Sequence, residues 1–194
     1  MEFKQILLIL LSLLLIGCAN SVTEKEKTYQ DLMNDAWKKF EQQDYDGALA
    51  TFLEAETMDK TSDVVGAIGW TYLLKSDLEN ATKTFSQTGF TSVDITAGLG
   101  FLFNAIESYG KSIEAIKVVE NQNPNWSFGF GLNLGMNDLY ILLAQNQFLL
   151  GNYNEALVAL KKVDKTFVAD PNTLEGRKAM SQKIESLNKY IIPK

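Results

Sequence analysis

Apolar residues follow three rhythms along this chain. The first is nearly unbroken: from Ile6 to Ile16 the sequence reads ILLILLSLLLI, interrupted only by Ser12. Coiled as a helix, residues 6–17 would span roughly 18 Å, well short of a hydrocarbon core of ~30 Å. The stretch is too short for a spanning anchor and fits the apolar region of a signal peptide. The second rhythm runs through the body with helical spacing. "DYDGALATFLEA" from Asp44, "SYGKSIEAIKVV" from Ser108 and "NYNEALVALKKV" from Asn152 each carry a tyrosine, a small residue three positions later, and apolar residues four and seven beyond that. The small residues are Ala48, Ser112 and Ala156, and the apolar pairs are Phe52/Ala55, Ile116/Val119 and Leu160/Val163. "DLENATKTFSQT" from Asp77 is a fourth copy, with Leu78, Ala81 and Phe85. The third rhythm follows Pro171, where Met180, Ile184, Leu187 and Ile191 form one apolar stripe. Asp170 is the expected N-cap of that last helix and Pro171 its first helical residue.

A small residue at a fixed place in each copy marks where two helices press together. A bulky side chain there would force the axes beyond the usual separation of about 8–10 Å. Ala48, Ala81, Ser112 and Ala156 lie 33, 31 and 44 residues apart, regular except before the last copy. The pattern resembles the second half of the tetratricopeptide repeat, whose period is about 34 residues. The first half of that motif, W-x₂-L-G-x₂-Y, is similar to Val65-x₂-Ile68-Gly69-x₂-Tyr72 and to Leu99-Gly100-x₂-Phe103, and Pro124 stands where the family places proline. Copies one and four depart from it: Ala36 and Ala144 replace the glycine, while Lys39 and Gln147 sit where an aromatic belongs. The resemblance implies an all-α fold, an α-solenoid or superhelix of about four helix-turn-helix repeats closed by a C-terminal capping helix. The expected boundaries are an array over residues 29–170, with repeats near 29–61, 62–92, 93–126 and 137–170 and an insert near 127–136. A capping helix and tail occupy 171–194.

The leading apolar run ends in Leu15-Ile16-Gly17-Cys18, and Cys18 is the only cysteine of the chain. The sequence around it resembles the lipobox of bacterial lipoproteins. That resemblance implies a signal peptide over residues 1–17 and a diacylglyceryl group on the Cys18 thiol, with Cys18 first in the processed chain. The other reading is a plain secretory signal that happens to contain a cysteine. Two or more acyl chains anchor a protein stably where one does not, at ~0.8 kcal/mol per buried CH₂. Residues 18–28 then form the lipidated cysteine and a polar tether, ANSVTEKEKT after Cys18, whose ten residues reach at most ~36 Å. Ala19, in place of the aspartate that commonly signals inner-membrane retention in this family, points toward the outer membrane of the bacterial envelope.

Composition narrows the chemistry. The formal net charge is −6, and removing residues 1–17 takes away one acid and one base, so it stays there. Such a chain lacks the basic footprint that nucleic-acid phosphates require. There is no histidine, which removes the commonest general base and transition-metal ligand together. One cysteine makes neither an internal disulfide nor a structural zinc site. Ser108-Tyr109-Gly110-Lys111 matches S-x-x-K, but neither S-D-N nor K-T-G accompanies it, and it lies across a turn between helices. Gly129, Gly131 and Gly135 alternate with apolar residues and no G-K-[ST] follows, so no phosphate loop is present. The expectation is a protein that is not an enzyme, with no cofactor or metal beyond the covalent lipid on Cys18.

In tetratricopeptide arrays the first helix of each pair lines the concave face. Carried onto this chain, the residues after the small position are Trp37, Trp70, Phe101 and Gln145, and one turn on come Phe40, Leu73, Asn104 and Phe148. The carboxylate clamp of chaperone-binding members needs lysines and asparagines on this face; only Asn104 is of that type, so that function is not carried over. An aromatic row of Trp37, Phe40, Trp70, Phe101 and Phe148, with Asn104, is a candidate groove for an apolar helix or extended peptide. Trp37 also shares a stripe with Leu32, Met33, Ala36 and Phe40, so core packing is the alternative. A second candidate is the glycine-rich stretch "NPNWSFGFGLNLGMND" from Asn123, with Trp126, Phe128 and Phe130. It reads as a loop folded over the groove, a partner-binding feature, a lengthened helix, or cover for a seam between repeats. The expected partners are envelope proteins or peptide segments and, through the lipid, the membrane, with no nucleic acid. The leading functional expectation is a non-catalytic interaction scaffold in the bacterial envelope. The alternatives are a small-ligand or lipid carrier using the aromatic groove, and an accessory subunit of an envelope transport or assembly system.

Overall fold

The structure, a computed structural model, describes residues 27–89 and 92–188. Residues 1–17, Cys18, most of the tether and Ile191 lie outside the described residues. Among those described, nine α-helices follow one another: α1 (Tyr29–Glu41), α2 (Tyr45–Met58), α3 (Ser62–Leu74), α4 (Leu78–Phe85), α5 (Val93–Ala105), α6 (Tyr109–Gln122), α7 (Met136–Leu149), α8 (Tyr153–Val163) and α9 (Leu174–Leu187). Each of the first four odd-numbered helices packs most extensively on the even-numbered helix that follows it. The four hairpins stack in chain order, with α2 against α3, α4 against α5 and α6 against α7. This is an all-α solenoid of tetratricopeptide type.

Local chemistry starts and stops these helices. Thr28, Asp44, Thr61, Asp77, Ser92 and Thr173 each cap a helix by accepting a backbone N–H from the first turn. Within each hairpin the turn is the same. Gln43, Ser76, Glu107 and Gly151 take positive φ of 63°, 58°, 59° and 78°. The next residue's N–H then reaches back to the helix just ended, from Asp44 to Lys39 O, Asp77 to Tyr72 O, Ser108 to Phe103 O and Asn152 to Gln147 O. Only the fourth turn uses glycine, so the other three hold a left-handed residue against its preference.

The seams sit where the small residues are. Ala48, Ala81, Ser112 and Ala156 are fully buried, as are Ala36 and Ala144 of the facing helices. Phe85 on α4 is wedged between α3 and α5. A Cβ on Gly69 would lie 2.6 Å from its ring, and one on Gly98 would lie 2.7 Å from it, so a side chain at either place would have to push the Phe85 ring out of its seat. Lys39, in the position of the missing aromatic, instead donates to Thr51 Oγ1 at 2.8 Å and pairs with Asp35 at 3.1 Å.

Helix α9 packs on α7 and α8 and buries Met180 and Ile184 of the terminal stripe. Its start corrects the sequence reading. Thr173, not Asp170, is the N-cap, and Leu174, not Pro171, is the first helical residue. Asp170 is committed to a tight turn, its carboxylate accepting the Asn172 N–H at 3.0 Å and its carbonyl the Thr173 N–H at 3.2 Å. Gly176 lies directly on the Asp170 backbone, where a Cβ would meet the carbonyl oxygen at 1.9 Å. Asn188 ties the helix end to α7 by donating to Gln145 Oε1 at 2.8 Å.

Candidate functional site

Thirteen residues, 123–135, separate α6 from α7, and they account for the stretched spacing before the last repeat. Their backbone makes a short hairpin. The Phe128 N–H donates to Leu134 O and the Met136 N–H to Trp126 O, both at 2.9 Å, and Ser127 bridges Gly135 antiparallel. Side chains in an extended segment alternate between its two faces. Trp126 and Phe128 are therefore buried while Ser127 faces solvent; beyond them the chain bends over residues 129–132, with Gly129 exposed and Phe130 half-buried. The tip turns through Gly131, at φ 74°, and Asn133, at φ 49°.

The inward face of this segment packs against the first helices of repeats one and two. The Phe128 ring centroid lies 4.6 Å from that of Trp70 on α3 and 6.2 Å from those of Trp37 and Phe40 on α1. Phe128 thus links the first helices of repeats one and two. Phe130 stacks on Trp37 at 3.5 Å with the rings 7° from parallel, and Gly131 rests against Glu41 at the end of α1. Trp126 donates through Nε1 to Asp94 Oδ1 at 2.6 Å. The backbone carbonyl of Asp94 accepts from Trp70 Nε1 at 3.0 Å. One residue at the start of α5 therefore satisfies both buried indole N–H groups, which would otherwise remain unpaired.

The structure brings Trp37, Phe40, Trp70, Phe101, Phe128 and Phe130 into one aromatic cluster, with Phe101 tilted on Trp70 at 6.0 Å, while Trp126 is buried beside it on Asp94. Several of them are not on an open surface. Phe40 and Trp70 are 1% exposed and Phe101 6%, because neighbouring helices and the 123–135 segment cover them. Trp37 alone of the two groove tryptophans stays half-buried. Asn104 stands apart, donating to Asn146 Oδ1 at 2.6 Å. Asn146 in turn donates to Ser112 Oγ at 2.7 Å and Ser112 to Gly100 O at 2.6 Å, a polar chain between repeats three and four. Phe148 also lies elsewhere, edge-on to Tyr153 at 5.2 Å. Gln145 is engaged by Asn188 of α9's end.

Asp94 and Asn146 escaped the sequence reading. Asp94 has the signature of an acidic residue in a first helical turn, and nothing nearby announces an indole 32 residues away. Among the described residues no group of three or more His, Cys, Asp or Glu side chains could hold a metal, and no helix is long and apolar enough to cross a membrane. Lys111 of the S-x-x-K match lies over the Phe103 ring at 5.7 Å.

The architecture matches that of solved tetratricopeptide proteins. The chain is similar to a tetratricopeptide repeat protein from Parabacteroides merdae, with TM-score 0.58 and 13% identity. That match covers 81% of this chain and 59% of the other, so the chain spans less than two thirds of that protein. It is also similar to the MamA protein, with TM-score 0.59 and 17% identity over 84% of this chain and 85% of that one. A thermophilic TPR protein of Thermus thermophilus gives TM-score 0.59 and 16% identity over 82% and 83% of the two chains. At such identities the likeness is one of fold. No family model and no curated protein sequence matches the chain.

Proposed function

We propose that this protein is a non-catalytic interaction scaffold of the bacterial envelope, moored to a membrane by a diacylglyceryl group on Cys18. The observation that carries the mooring is the sole cysteine set at the end of an eleven-residue apolar run, in Leu15-Ile16-Gly17-Cys18. Support for the scaffold comes from the fold, whose stacked hairpins bury their seams against one another and present extended faces to partners. Ala19 favours the outer membrane over the inner one. A small-ligand carrier is less well supported, because Phe128 and Phe130 fill the space a ligand would take among Trp37, Phe40 and Trp70.

Fatty-acid labelling, membrane fractionation and in-cell cross-linking of the wild type and of Cys18→Ser test this reading together. The expected result is label, membrane recovery and a stoichiometric cross-linked protein for the wild type, with label and membrane recovery lost in the variant. Unchanged labelling and fractionation in Cys18→Ser would remove the mooring, and no cross-linked protein at all would remove the scaffold.

A further inference from the structure

We infer that residues 123–135 are an autoinhibitory strap, a tethered ligand that covers the aromatic surface formed by α1 and α3. The partner segment able to displace it is an extended one with aromatic side chains at alternate positions. This rests on the scaffold reading and names the kind of partner it would hold.

The strap occupies the groove as a bound peptide would. Its inward residues recur at every second position, Trp126 and Phe128 on the extended arm of the hairpin and Phe130 where the chain bends at its tip. The receiving surface comprises the rings of Trp37, Phe40 and Trp70 from two different repeats. Such a surface selects ring spacing more than ring identity, because offset and edge-on aromatic contacts tolerate exchange of one ring for another.

The two ends of the strap are held unequally. Trp126 is buried and pinned by Asp94, and Phe128 is buried among the rings of Trp37, Phe40, Trp70 and Phe130. Phe130 is half-buried on a half-buried Trp37. It is flanked by Gly129, whose outward side meets open space, and by Gly131 in a left-handed turn. Opening therefore starts at the Phe130 end. An incoming ring replaces Phe130 on Trp37 first, and the next ring two residues along follows into the Phe128 position.

A fluorescent peptide with the sequence of residues 125–131, NWSFGFG, serves as the probe, beside a permuted peptide in which the three aromatics are contiguous. Each is titrated against the full chain, Phe130→Ala, Phe128→Ala/Phe130→Ala and Trp37→Ala/Phe130→Ala. The wild type should bind weakest, since its own strap competes at a high effective concentration, and Phe130→Ala should bind about tenfold tighter or more. The permuted peptide should bind about tenfold more weakly than the native order, and Trp37→Ala/Phe130→Ala should show none of the gain. Equal binding by the wild type and a Phe130→Ala variant with unchanged circular dichroism and melting would overturn the strap. Should the double Phe variant fail to fold, the half-buried Phe130 site decides alone. Persistence of the cross-linked envelope partner in Phe130→Ala, with no gain in peptide binding, would overturn the strap and leave the scaffold standing.

Discussion

The ring of Phe130 lies 3.5 Å from that of Trp37 and within 7° of parallel, although 93 residues separate them in sequence. This contact brings the segment that follows repeat three back onto the first helix of repeat one. With Phe128, it covers the aromatic row of the first two repeats with rings of the same chain.

Trp37 and Trp70 should then differ sharply on truncation. Trp70 is 1% exposed and hydrogen-bonded to the Asp94 carbonyl, so Trp70→Ala should destabilise the fold by about 3–5 kcal/mol. Trp37→Ala removes a half-buried ring whose partner Phe130 can relax, so its loss should be well under that of Trp70→Ala. Denaturant melts of both variants provide the check.

Asp94 gives a test of how the strap is anchored. Asp94→Ala leaves the buried Trp126 indole N–H unpaired and should destabilise by about 1–3 kcal/mol. Asp94→Asn keeps an accepting oxygen at the same place and should lose much less. A double-mutant cycle of Asp94→Ala with Trp126→Phe should show coupling of about 0.5–3 kcal/mol, whereas strict additivity would mean the bond does not hold the strap.

The three left-handed turns without glycine should be improvable. Glu107 is exposed at φ 59°, so Glu107→Gly should stabilise by about 0.5–1 kcal/mol, as relief of the left-handed strain exceeds the added chain entropy. Gly151→Ala, at φ 78°, should do the reverse by about 1 kcal/mol. Thermal melts at matched concentration read both.

Acid should loosen the terminal helix. Hydrogen bonding from Lys183 of α9, together with Thr166, holds the Asp164 carboxyl well below the usual carboxylate range. A carboxyl whose folded-state pKa is depressed stabilises the fold above its unfolded value of about 3.9 and loses that contribution as pH falls below it. The wild type should therefore exceed Asp164→Asn in α9 protection at neutral pH, and the gap should close in strong acid. Hydrogen exchange of α9 amides against pH measures it.

Much of the stack was legible because a small residue reports its own surroundings. Ala48, Ala81, Ser112 and Ala156 mark four seams, and all four are fully buried. The groove was less so. A stripe of apolar residues on one helix does not say what packs on it, and the cover for Trp70 comes from Phe128, 58 residues onward. Asn104 read as a groove donor, yet its amide is taken by Asn146 across a repeat boundary. The Asp170 cap failed for a local reason, since the same carboxylate serves the Asn172 N–H and Gly176 needs the chain folded tightly against Asp170.

The most direct measurement is a nuclear Overhauser spectrum of the folded chain with assigned aromatic protons. Cross-peaks between the Trp37 indole and the Phe130 ring, and between Trp70 and Phe128, are the expected result. A Trp37 indole with no cross-peak to either phenylalanine would contradict a groove filled by its own chain.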